Sequence, residues 1–338
     1  MTKLYKRYNL LIQLVILVVS YVFIINQVFW KQDLPALLKP LAENFSSSKF
    51  LWMLALILVL MILNWMLEAL KWKKLINKVE PLSLRQSIMA VLTGVTISSF
   101  TPNRIGEYFG RAFILKKASH IEGILITILG SMSQLLVTIL AGSLSLLFFL
   151  YLFMPDTEFM SGYLYVGFVF SVLFLDILLV GLFFNVSFLA SWKEKILRNS
   201  RVRIRRYFDV FTLYSNRELW IVMALSFARY AVFSTQYVLL LWILGVRMPF
   251  YYMYLMIALI YFIMAVIPTI ALTELGIRSS VAIYCFGFYF ARSMTGTAET
   301  NLAILMASVL MWFINLGIPA VAGSVFLFRL QFFRNNEA

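Results

Sequence analysis

The sequence predicts an all-α polytopic membrane protein, and three observations carry that prediction. Hydrophobic residues make up 62% of the 338-residue chain and charged ones only 13%, about half the share found in soluble domains. Apolar runs long enough to cross a bilayer as helices, about 20 residues each, recur along the chain. The bases and acids between them alternate as the positive-inside rule requires.

The first run, near 10–30, follows Lys3, Lys6 and Arg7. It is longer than a signal-peptide core and has no small-residue cleavage site, so it reads as a retained span. A second run, 50–70, leads into the basic stretch 71–86, with Lys71, Lys73, Lys74, Lys78 and Arg85. Further runs lie at 122–153, 163–185, 219–244 and 302–328, which makes six full spans. The connection 154–162 carries Asp156 and Glu158 and no base, whereas 190–218 carries Lys193, Lys195, Arg198, Arg201, Arg203, Arg205, Arg206 and Arg217. The N-terminus, both basic stretches and the Arg329/Arg334 tail are therefore expected in the cytoplasm.

This assignment decides how 86–117 is built. A full crossing at 86–101 would turn the basic 190–218 stretch outward and the acidic 154–162 connection inward. A re-entrant hairpin, broken at Pro102 and returning to Lys116 and Lys117, avoids that. Irregular backbone at such depth must be buried in protein or line a wet cavity. A second interrupted segment, 251–290, is apolar on both sides of IPTIALTELGIR (267–278) and predicts a second hairpin entering from outside. The order span, span, hairpin, span thus occurs twice within one transmembrane domain (1–338), over 1–155 and 156–338 in opposite orientation. That is an inverted repeat.

The two breaks share a local pattern. Glu107 precedes Arg111 by four residues after Pro102, and Glu274 precedes Arg278 by four after Pro268. On a helix such pairs are neighbours. Matching breaks in two opposed halves point to a binding site at a transporter midplane. Pro102, Gly106, Pro268 and Gly276 are expected to shape the breaks. Free N–H groups at the start of the first return arm, with Arg104 beside them, would hold an anionic group such as a phosphate. The plainer alternative has Arg104 and Arg111 reaching the cytoplasmic surface, with Glu107 neutralising Arg111. Glu274 and Arg278 admit a similar alternative, a self-compensated pair at the outer surface, and lack a counterpart to Arg104.

Arg229 falls ten residues into its span, where a charge costs roughly 2.5–3.5 kcal/mol and needs a partner. Asp176 is the nearest candidate by depth, with Glu107 and Glu274 as alternatives. The pair would either lock two spans together or leave Arg229 as a cationic wall of the substrate cavity. Asn64, Gln134, Gln236 and Asn315 read as interhelical glue. The stretch 190–218 reads as an amphipathic surface helix with Ile196, Val202, Phe208 and Phe211 toward the bilayer and its arginines toward anionic headgroups.

Several function classes drop out. Cys285 and His120 each stand alone, so no disulfide, metal site or Ser-His-Asp triad is expected, and no cofactor. The net charge of +14 follows membrane topology rather than nucleic acid. No phosphate-binding loop for ATP is present.

TPNRIGEYFGRA resembles the Pro-x-Arg-x-Gly-Glu signature, with its following Arg, of the lysylphosphatidylglycerol synthase transmembrane (flippase-like) family of bacterial membrane proteins. IPTIALTELGIRSSVA is similar to that family's second break. Pro102, Arg104, Gly106, Glu107 and Arg111 match, as do Leu275, Gly276 and Arg278. Thr273 and Glu274 replace the usual glycines, and Ser279 replaces the usual acid. The resemblance implies eight membrane segments, some discontinuous, in a bacterial inner membrane, and the handling of phospholipids or lipid-linked precursors. It does not imply lysyl transfer, which belongs to a soluble domain not expected in a chain ending at Ala338.

The expected function is therefore a non-enzymatic transporter, flippase or scramblase-like, with Arg104, Arg111 and Arg278 receiving a headgroup phosphate. Movement would be downhill or coupled to an ion gradient, with Glu107 and Asp176 as proton carriers. The alternatives are an intramembrane enzyme acting on lipid phosphates, with Glu107 or Glu274 as base, and a non-catalytic lipid-binding partner protein. The substrate lipid and the anionic membrane surface are the expected partners, and a homodimer is compatible with the sequence.

Overall fold

A computed structural model describes residues 47–101, 104–154, 163–186, 209–267 and 271–329, together with Leu11, Leu14, Val15, Val18 and Val22. Every regular element among the described residues is helical. Five helices are long and apolar enough to cross a membrane: α1 (Ser48–Ile76), α4 (His120–Phe153), α5 (Tyr163–Phe184), α6 (Asn216–Ile243) and the stretch Ala298–Ser324. They match five of the six expected spans, and the chain is a multi-pass membrane protein. Most of the span expected near 10–30, Pro102, Pro268, nearly all of the acidic connection, the tail beyond Arg329 and most of the basic stretch lie outside the described residues, Ile196, Val202 and Phe208 among them.

Between α1 and α4 the chain forms α2 (Leu84–Ser98) and the short α3 (Gly106–Ala112), which lie against each other. Glycine permits the closeness. A Cβ on Gly110 would stand 2.7 Å from the Gly94 Cα, and one on Gly106 2.6 Å from the Ile97 carbonyl oxygen. The two ends of this segment also meet. The buried Glu80 carboxylate, ahead of α2, accepts hydrogen bonds from the N–H groups of Lys116, Lys117 and Ala118 at 2.7–3.1 Å. Capping boxes at Ser83 and Ser119 then start α2 and α4 cleanly.

The second interrupted segment consists of α7 (Phe250–Val266) and α8 (Ala271–Ser293). Its ends also meet, with the Tyr252 and Tyr289 rings 5.1 Å apart. Gly276, expected at the break, instead lies within α8, where an added Cβ would meet nothing within 4 Å.

The last crossing is compound. α9 (Ala298–Trp312) passes through a π-turn, Phe313–Gly317, into α10 (Ile318–Ser324). Pro319 has no N–H to give the carbonyl four residues back, at Asn315, so the regular ladder fails there.

Packing is reciprocal. α1 lies along α6; α4 crosses α7 while α10 crosses α2; α3 lies on α4 as α8 lies on α9. Small residues set these crossings. Gly323 seats against the Leu92 carbonyl and Thr96, whose hydroxyl donates to the Ala320 carbonyl at 2.7 Å. Gly142 faces the Phe262 ring.

One expectation fails in this frame. Phe211, expected to face the bilayer, is buried with Val210 and Tyr214 in a core shared with Ala69, Trp72 and Leu219. The turn Asp209–Leu213 folds it inward, so Phe211 serves the protein core rather than lipid.

Candidate functional site

Ser98, Ser99, Thr101 and Arg104 build the first break. The hydroxyls of Ser98 and Ser99 donate to the carbonyls of Val95 and Thr96, which closes α2. Arg104 then takes a left-handed backbone conformation, φ 56°, at a cost of roughly 1–2 kcal/mol for a residue with a Cβ. The start of α3 is not the free row of N–H donors expected from sequence. Thr101 Oγ1 accepts from the Gly106 N–H at 2.8 Å, and the Ile105 carbonyl accepts from the Tyr108 N–H at 3.1 Å. An anion at this break would depend on guanidinium groups instead.

Those groups converge from three elements. Arg104 Nη2 reaches across the fold to Glu274 Oε1 at 2.8 Å, and Arg278 Nη2 meets the same oxygen at 2.5 Å. The i,i+4 pair of the second motif is thus present, but in the interior, with Glu274 and Arg278 only 5% and 8% exposed. The second motif needs no arginine of its own to match Arg104, because Arg104 completes it.

The other i,i+4 pair is also formed, Arg111 bonding Glu107, but Arg111 is only 1% exposed and does not reach a surface. Its second partner is Glu68 of α1, at 2.8 Å. Glu68 also holds Lys71 at 2.8 Å and Arg229 at 3.1 Å. Arg229 therefore pairs with Glu68, not with Asp176, Glu107 or Glu274. Asp176 lies elsewhere, accepting from the Ser143 hydroxyl at 2.7 Å between α5 and α4. Depth along a span does not say which way a side chain points around it, and Asp176 points to the other flank.

Lys71, expected with the cytoplasmic bases, is likewise buried. Three residues beyond Glu68, it lies over the same helical face, while Lys73 and Lys74 turn away. Glu68 and Lys71 are the residues that reading by composition misses. Their signal was present: a carboxylate inside an apolar run, one turn before a base.

Asn64 and Asn315 extend the network. Arg229 Nε donates to Asn64 Oδ1 at 3.1 Å, and Asn64 Nδ2 donates to Asn315 Oδ1 at 3.1 Å, with the π-turn presenting Asn315. Gln236 is interhelical glue as expected, donating to the Ile57 carbonyl at 3.0 Å.

A cavity of about 520 Å³ opens between the two breaks, within the range of small-molecule sites. Among the described residues, Arg104, Arg229, Glu274 and Arg278 are the charged ones on its wall, beside Asn64, Gln134, Thr138 and Asn315 and the rings of Trp65, Tyr230, Phe233, Tyr261 and Trp312. Arg104 and Arg278 share Glu274, and Arg229 has Glu68 behind it. Arg104 leaves 43% of its side chain open, and Arg229 also stacks over the Trp65 ring at 5.1 Å. Glu107 and Arg111 stand behind this wall rather than on it. Among the described residues, no cluster of His, Cys, Asp and Glu could hold a metal ion.

A family model described as the lysylphosphatidylglycerol synthase TM region matches residues 10–316. No curated protein and no solved structure matches the chain.

Proposed function

The chain belongs to the lysylphosphatidylglycerol synthase TM family, and on that premise we propose that it moves a phosphate-bearing lipid across the bacterial inner membrane. One observation carries the reading: Arg104, Arg229 and Arg278 line one cavity at the meeting of two helix breaks, and the network they belong to, with Lys71 and Arg111, sets five cations against the carboxylates of Glu68, Glu107 and Glu274. Such an excess of positive charge in a low-dielectric site calls for an anion. Planar guanidiniums suit a phosphate. Glu274 occupies the position of that phosphate in the resting protein, and the substrate displaces it. Arg111 and Glu107, with Glu68 and Lys71, hold the first arm and Arg229 in place from behind. The acyl chains stay in the bilayer.

In this reading both interrupted segments are re-entrant hairpins among six spans, with both termini and the 190–218 stretch in the cytoplasm. The Glu80 contacts to 116–118 and the Tyr252–Tyr289 ring contact support hairpins that return to the side they left. The reciprocal pairing of α4 with α7 and of α10 with α2 supports opposed repeats over 1–155 and 156–338. Transport is favoured over lipid chemistry because, among the described residues, each carboxylate near the cavity is already clamped by cations.

Reconstitution into liposomes with fluorescent phospholipid tests the proposal. The protein should accelerate lipid translocation, and Arg278→Gln should abolish it while the purified variant keeps its monodisperse profile. A folded variant with undiminished translocation would refute the assignment, and a chemically altered lipid would replace transport with catalysis.

A further inference from the structure

We propose that the end of α1, the turn Asp209–Leu213 and the start of α6 form a second site, which holds the phosphate headgroup of an anionic phospholipid from the cytoplasmic leaflet. The inference takes its side of the membrane from the topology above and stands apart from transport through the central cavity.

Packing makes a groove here. Tyr214, buried just ahead of α6, donates its hydroxyl to the Leu75 carbonyl at 2.9 Å, which pins the start of α6 to the end of α1. A groove of about 640 Å³ lies along this seam, lined by Lys74, Lys78, Arg217 and Glu218 and by the apolar Leu213 and Ile221.

Three bases stand against one acid, and that acid is already engaged. Glu218 bonds Lys78 at 2.7 Å and accepts from the N–H and the hydroxyl of Ser215, each at 3.1 Å. Lys74 and Arg217 are exposed and, among the described residues, have no carboxylate partner. Arg217 also sits in the first turn of α6, the end of a helix where the dipole favours an acid. It is unfavourable for α6 by itself, and a bound anion would reverse that.

The apolar flank favours a lipid over a soluble anion. Leu213, Trp220 and Ile221 are all exposed, and the Trp220 ring lies 4.5 Å from that of Phe184 on α5. Tryptophan on the outside of a span marks the headgroup level of a bilayer, and basic pockets at that level attract anionic headgroups. A phosphate held by Lys74 and Arg217 would have its acyl chains beside these apolar groups.

Native mass spectrometry and photo-cross-linking of the full chain test this, in an Arg278→Gln background so that the central cavity does not contribute. Phosphatidylglycerol should stay bound in preference to phosphatidylcholine, and a photoactivatable phosphatidylglycerol should label residues 74–78 or 212–221. Adding Lys74→Gln with Arg217→Gln should weaken binding by at least about tenfold and remove the label, with melting unchanged because both side chains are exposed. Lys74→Arg with Arg217→Lys keeps both charges and should preserve binding. Undiminished binding and labelling in the glutamine variant overturns the inference, as does equal binding of phosphatidylcholine. Competition by soluble glycerol phosphate at matching affinity would also overturn it, in favour of a free phosphate ester. These outcomes are the same whether or not the protein transports lipid.

Discussion

Arg104 and Glu274 meet at 2.8 Å although 170 residues separate them in the chain. One stands at the first helix break and the other in the first turn of the helix that follows the second, so a single ion pair ties the two interrupted segments together. Because Glu274 also holds Arg278, it serves as a resident anion for two guanidiniums that a substrate phosphate would claim.

Glu274→Gln keeps the shape and removes the competing charge. Anionic lipid should bind about tenfold tighter, the equivalent of about 1.4 kcal/mol, and translocation should slow because release becomes limiting. Equilibrium lipid binding and liposome translocation measured on the same preparation check this, and weaker binding in the variant would contradict the role of Glu274 as a displaced anion.

Arg104→Gly separates function from folding. The left-handed backbone at this position, φ 56°, is one that glycine adopts without strain. Relief of roughly 1 kcal/mol should offset part of the loss of an ion pair that is open only on its Arg104 side, since the buried Glu274 keeps Arg278 as a partner. The variant should therefore melt within a few degrees of the parent and fail to transport. Full activity in a well-folded Arg104→Gly protein would remove Arg104 from the site.

Glu68 balances Lys71, Arg111 and Arg229 with almost no exposure. Glu68→Gln leaves two buried cations, Lys71 and Arg111, and the half-buried Arg229 with only Glu107 near them. Destabilisation of about 3 kcal/mol or more is expected, because removing one partner strands buried charge. Thermal unfolding of the detergent-solubilised protein should show it as a large fall in Tm. Lys71→Met in the same background should recover part of the loss by removing one of the stranded charges.

Much of this arrangement was legible in the sequence. Hydropathy located the five described spans, because lipid demands apolar helices of fixed length. Four-residue spacing foretold the Glu107–Arg111 and Glu274–Arg278 pairs, because that spacing fixes the geometry on any helix. What spacing could not supply was rotation and distance across the fold. Arg229 has Asp176 at a suitable depth yet pairs with Glu68 on α1, and Lys71 looks like one of a run of surface bases yet turns inward. The Arg104–Glu274 contact depends on how two breaks approach, which no local pattern records. Gly276 looked like a breaker but sits inside α8, where the helix simply accommodates it.

The glycines differ in what they permit, and substitution should separate them. Gly110→Ala places a methyl 2.7 Å from the Gly94 backbone, which cannot yield as a side-chain tip would. About 1–3 kcal/mol of overpacking is expected, along with lost transport if the first segment splays. Gly276→Ala meets open space in a helix interior and should stabilise by about 1 kcal/mol. Paired melting curves decide this, and equal shifts in the two variants would mean that α2 and α3 are not closely packed.

Glu80 gives the remaining test of how the first segment returns. Its carboxylate accepts from the backbone of Lys116, Lys117 and Ala118, clasping the stretch before α2 to the stretch after α3. In Glu80→Ala these N–H groups lose their acceptor, at roughly 1–3 kcal/mol for each that stays buried. The part that becomes hydrated costs less, so the change should appear locally before it appears in Tm. Hydrogen exchange of residues 116–118 should speed by at least about tenfold in the variant, with α4 protected as before. Glu80→Gln, which keeps an accepting oxygen, should restore part of the protection. Unchanged exchange in Glu80→Ala would show that the ends of the segment are held by something other than this carboxylate.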